Sequence, residues 1–109
     1  MLRTLDGKSP TIDPTAFIAE TAYLIGDVVV GPRSSIWPGV VIRADSGRIT
    51  IGAGTNIQDN SVLHADYDAF YGDNITIGHG VISHARSVGD GSLLGNNSTL
   101  NEGVVIGKN

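Results

Sequence analysis

The chain carries three histidines, His64, His79 and His84, all within one short stretch of its 109 residues. Imidazole is both a general base near neutral pH and the commonest side-chain ligand for zinc and similar ions, so three of them close together raise the question of convergence. There is no cysteine, which excludes a disulfide framework and a thiolate metal site and leaves nitrogen and oxygen donors. His79 and His84 stand five residues apart in the segment IGHGVISHARSV. That spacing suits neither one face of a helix nor one face of a strand.

A repeat supplies the elements that could position them. Aliphatic residues recur every sixth position at Ile12, Ile18, Leu24, Val30, Ile36 and Ile42. The phase slips across RADSGRIT, resumes at Ile51, Ile57 and Leu63, and is interrupted again by HADYDAFYGDN. It returns at Tyr71, Ile77 and Ser83, then runs through Val88, Leu94, Leu100 and Ile106. Four residues after most anchors stands a small or β-branched residue, as at Ala22, Ser34, Thr55, Ser61 and Ser92. A period of six is neither helical nor that of a hairpin sheet. Short parallel strands with a turn after each satisfy it if three hexads close one triangular coil and successive coils stack. The anchors then fill the interior, and the small residues fit the corners.

Residues in hexads three apart lie one above another, about 4.8 Å away. Arg43, His64 and His84 each follow an anchor in such hexads and share one column. Two stacked imidazoles can tilt toward one metal with bonds of about 2.0 to 2.1 Å. His79 belongs to another side of the triangle, too far round the prism to complete the same tetrahedron within one chain. A second copy could supply it, and cyclic symmetry would then give three shared metals in a closed trimer.

Eleven acidic side chains against seven basic ones give a formal charge of -4, and no run of Lys or Arg occurs. Nucleic acid and anionic membrane surfaces are therefore poor partners. MLRTLDGKSP lacks the apolar core of a signal peptide and no stretch approaches the roughly 18 apolar residues that span a bilayer, so a cytoplasmic protein is expected. Residues 1–109 are read as a single all-β domain. The glycine-rich GAG at 52–54 and GDG at 89–91 read as turns of the coil, since no helix follows to make a phosphate loop.

The segments IRAD at 42–45, NIQDNSVLH at 56–64, HAD at 64–66 and GHGVISH at 78–84 resemble the gamma-class carbonic anhydrase branch of the hexapeptide-repeat proteins. The resemblance implies a left-handed parallel β-helix, here of about five coils, in a homotrimer with metal at the subunit interfaces. It assigns His64 and His84 from one subunit and His79 from its neighbour as ligands of zinc, with iron or cobalt as other occupants. It implies reversible hydration of CO2 to bicarbonate by metal-bound hydroxide. Gln58 would orient that hydroxide, Asn56 would support Gln58, and Arg43 would hold bicarbonate or fix the subunit contact. Arg43 and Asp59 would pair across the interface, with Asp45 as a further partner. Plain turn chemistry also accounts for Asn56, Gln58 and Asp59, and a solvated edge charge for Arg43. Because ligating histidines must be neutral, acid is expected to strip the metal and loosen the trimer.

Several positions depart from the family pattern. The acidic insertion ADYDAFYGDN offers Asp66, Asp68 and Asp73 but no glutamate to carry protons, which points to a weak or silent anhydrase. Ala85 and Arg86 replace a common Gly-Cys pair, and Asn96 and Asn101 stand where apolar residues are usual, so both amides are expected to face the exterior or an interface. The sequence ends at the start of a hexad, short of the usual C-terminal coils and helix, so a fragment, a naturally shortened chain or an end covered by a neighbouring subunit is expected. Two other functions compete: acyl transfer, common among hexapeptide-repeat proteins, and a non-catalytic, metal-stabilised trimeric scaffold.

Overall fold

The computed structural model describes residues 1–109 and contains fifteen strands and no helix. All strand pairings are parallel, and they join residues about one coil apart in sequence. The result is a β-solenoid of about five coils, a left-handed parallel β-helix with three faces.

The first face is a five-stranded sheet of β3 (Phe17–Ile18), β5 (Ser35–Ile36), β7 (Asn56–Ile57), β10 (Thr76–Ile77) and β13 (Leu93–Leu94). The second face stacks β8 (Val62–His64), β11 (Ile82–Ser83) and β14 (Thr99–Leu100) on the opening residues of two long strands, β4 (Tyr23–Val30) and β6 (Val41–Ile51). The third face carries β9 (Ala69–Tyr71), β12 (Ser87–Val88) and β15 (Val105–Ile106) on the closing residues of those same strands.

Each strand alternates one outward with one inward side chain, as pleating requires. The inward residues are the sixfold anchors. Ile36, Ile57 and Ile77 line the first face from within, Leu24, Ile42, Leu63 and Ser83 the second, and Val30, Ile51, Tyr71 and Val88 the third, all buried. Burying an isoleucine this completely contributes roughly 1.5–3 kcal/mol. Tyr71, the one aromatic anchor, is accommodated because its neighbour round the coil is the small Ser83, whose hydroxyl it meets at 2.6 Å.

Corners interrupt the ladder and leave amides and carbonyls to be satisfied. The small residues there do it with hydroxyls. Ser34 Oγ donates to the Gly52 carbonyl (2.6 Å) and accepts from Thr55 N (3.1 Å), while Ser61 Oγ donates to the Gly78 carbonyl (2.7 Å) and accepts from Val81 N (3.0 Å). Thr55 Oγ1 repeats the pattern with the Gly72 carbonyl and Ile75 N, at 2.8 and 3.2 Å.

One feature differs from a turn every six residues. Where the period slips, β6 runs without a break from Val41 to Ile51 and joins the second face to the third. Its register against β4 shifts between Gly26 and Val28, so the additional residues bulge outward around Asp45, Ser46 and Gly47. The second interruption behaves alike: Ala69–Tyr71 is a strand, and only the residues just before it protrude. Asn96 and Asn101 lie exposed, as expected.

Candidate metal centre

The registers Arg43↔His64, Val62↔Ile82 and Leu63↔Ser83 place Arg43, His64 and His84 on consecutive rungs at the end of the second face. They all point outward because each follows an inward anchor. The His64 and His84 rings lie 4.7 Å apart between centroids at 37°, and His64 Nδ1 faces His84 Nε2 at 2.5 Å. Two imidazoles with converging nitrogens, without thiolate, are a donor pair suited to zinc and its neighbours in the first transition row.

His79 lies elsewhere. The corner between the first and second faces brings it outward at the edge opposite to His84: the step of five from His79 to His84 is one crossing of the second face. The turn is made by residues that tolerate left-handed backbone, with φ positive at Gly39, Asn60, Gly80 and Asn97. A Cβ on Gly80, next to His79, would sit 2.6 Å from Asn97 Oδ1. Asn96 Oδ1 accepts from the His79 amide (2.8 Å) and fixes the corner from above. Within one chain no three histidine or carboxylate groups are arranged so that they could hold a metal ion.

Carboxylates accompany both half-sites. Asp45 Oδ1 lies 2.9 Å from His64 Nε2, and Asp45 Oδ2 lies 3.4 Å from Arg43 Nε. Burial would push the Asp45 carboxyl up, but the His64 hydrogen bond and the Arg43 charge outweigh it and hold the group below the usual carboxylate value. At the other edge, Asp59 Oδ1 lies 3.4 Å from His79 Nδ1. Asp59 and His79 each stand two residues beyond paired anchors, Ile57 and Ile77, so the counting that aligned His64 with His84 could have found this pair too. Asp45 was legible only as an arginine partner, because the bulge that carries it to His64 lies outside the hexad count.

The remaining site residues are dispersed around the His79 corner. Asn56 leaves β7 outward and its Oδ1 accepts from Ser35 Oγ at 3.3 Å. Gln58 lies at the start of the corner, its amide donating to the Ile77 carbonyl (2.9 Å). Within one chain Arg43 reaches Asp45, and Asp59 reaches His79. Of the three insertion aspartates, Asp68 accepts from Arg48 N and Asp73 from Ala53 N, at 2.9 and 2.8 Å, which are turn-stapling contacts. Asp66 alone approaches the histidines, 3.9 Å from His64 Nε2.

No family model matches the chain. It is 43% identical to gamma carbonic anhydrase 1, mitochondrial, of Arabidopsis thaliana along 93% of its own length and 40% of that protein's. To carnitine operon protein CaiE of Escherichia coli K12 it is 44% identical, over 94% of this chain and 54% of that one. The chain thus spans about half the length, or less, of these curated relatives. A hexapeptide transferase family protein from Anaplasma phagocytophilum superposes with a TM-score of 0.86 at 39% identity, covering 98% of this chain and 75% of that one. A putative acetyltransferase from Bacillus cereus gives 0.83 at 33% identity over 99% and 74%.

Proposed function

The chain belongs to the gamma carbonic anhydrase-like family of hexapeptide-repeat proteins, and from that premise we propose that it forms a homotrimer hydrating CO2 reversibly to bicarbonate at three interfacial metal sites. The observation that carries the proposal is the placing of His79 and the His64–His84 pair at opposite edges of one prism face. Three prisms that turn this face toward a common axis meet edge to edge. Each copy then offers His79 to one neighbour and its imidazole pair to the other, which closes a ring without an unused half-site.

The rungs match as well. Asp59 lies one rung below His79, and Arg43 one rung below His64. Docking His79 against the neighbour's imidazole pair therefore carries Asp59 toward the neighbour's Arg43, the cross-subunit pairing that the family resemblance implies. Gln58 and Asn56 travel with His79 and reach the site from the same subunit. Zinc is the proposed occupant, with iron or cobalt accepted by the same nitrogen donors. When bound, such an ion supplies Lewis acidity that brings the pKa of water down to about 7. The chain's own residues do the rest. Gln58 offers an amide to orient the oxygen nucleophile, and the Arg43 guanidinium offers paired donors to bicarbonate oxygens. No helix of the structure is long and apolar enough to cross a membrane.

Acyl transfer is the second reading, favoured by the two structural neighbours, one named a hexapeptide transferase family protein and the other a putative acetyltransferase. It leaves the stacked imidazole pair without a use. CO2 hydration by the metal-loaded protein, followed beside acetyl-coenzyme A consumption with amine and hydroxyl acceptors, separates them. Hydration that disappears on chelation and in His84→Ala supports the anhydrase. Full metal occupancy with no hydration contradicts it and leaves the scaffold, or acyl transfer if thioester is consumed.

A further inference from the structure

His64 Nε2 has two neighbours that ask opposite things of it. Asp45 Oδ1, at 2.9 Å, requires a proton on that nitrogen, whereas Arg43 Nη2, at 3.1 Å, requires a lone pair. A carboxylate only accepts, so an unprotonated Nε2 at that distance would set lone pair against lone pair beside a full negative charge. The guanidinium is long and half exposed and can turn its other donors to Asp45, which it already meets through Nε at 3.4 Å. The carboxylate therefore decides the tautomer. With the proton on Nε2, His64 Nδ1 is the acceptor of the imidazole pair, and in the metal-free chain His84 Nε2–H donates to it across 2.5 Å.

From this geometry we infer that Asp45 is a positioning residue: by accepting from His64 Nε2–H it fixes the tautomer and ring orientation that leave Nδ1 of His64 as the lone pair open to the metal. The inference rests on the proposed metal site but concerns a state of the chain that exists without metal. It also gives the β6 bulge a task, since that bulge brings a carboxylate from outside the hexad register to within hydrogen-bond distance of the imidazole, whereas Asp66 stays 3.9 Å away. Outer carboxylates of this kind typically account for a 10–100-fold difference in metal affinity.

The test uses nitrogen-15 shifts of the metal-free protein above the imidazole titration range, together with zinc affinity by chelator competition. The wild type is expected to show His64 protonated on Nε2. Asp45→Ala should mix the tautomers and weaken zinc binding about 10–100-fold, and Asp45→Glu should recover part of both. His64 protonated on Nδ1 in the wild type, or zinc binding within about twofold of wild type in Asp45→Ala, overturns the inference. A wild type that shows the Nε2–H tautomer yet binds no zinc overturns the metal site and leaves the Asp45 contact standing. If Asp45→Ala does not fold, the wild-type tautomer alone still decides.

Discussion

Tyr71 is the side chain whose protonation the fold controls most strongly. Burial, partly opposed by the hydrogen bond with Ser83, pushes its hydroxyl from 10.0 up to about 12. The folded chain thus holds this proton more tightly than the unfolded one. The associated stability is whole below about pH 10 and is lost as pH rises toward about 12. Urea midpoints measured up that range should fall in the wild type, and Tyr71→Phe should lack this component of the decline. The sequence placed Tyr71 among the anchors but gave no sign of its hydroxyl's partner. Ser83 occupies an anchor position where an aliphatic is usual, and that exception is explained by the phenol it accommodates.

Elements were legible to the degree that they obey the period. The faces, the inward columns and the stacking of His64 on His84 all follow from counting hexads, since one register error would turn every anchor outward. The corner residues were legible as small but not as hydrogen-bonded, because size shows in residue type while the partner lies a coil away. Ser61 makes the difference measurable. Its hydroxyl serves both the Gly78 carbonyl and Val81 N, on either side of His79. Ser61→Ala should therefore lower unfolding free energy by about 1–3 kcal/mol by leaving a buried group unpaired, read by denaturant titration. A loss no greater than that of an exposed serine would show that the corner relaxes. Where the period breaks, counting fails: β6 continues through the slip, and Asp45 reaches His64 by a bulge whose direction no spacing rule supplies.

At the scale of the molecule, the second face explains the spacing of the histidines and, in the proposed trimer, is the assembly surface. Between its two histidine edges runs an outward column of Val41, Val62 and Ile82, of which Ile82 is 47% exposed. Three such columns meeting at a threefold axis would bury one another. Ile82→Glu would place three like charges there and should give a folded monomer, by solution mass and circular dichroism, that has lost its metal. An intact metal-loaded trimer would remove this face from the interface.

Subunit mixing tests the shared site most directly. His79→Ala retains the imidazole pair and lacks the donor to the neighbour, while His64→Ala has the reverse defect. Each variant alone should bind almost no metal. Chains unfolded together in equal amounts and reassembled should regain about one quarter of the wild-type metal, because each mixed trimer rebuilds one of its three sites. Full metal in His79→Ala alone, or no recovery in an assembled mixture, would contradict a metal held between subunits.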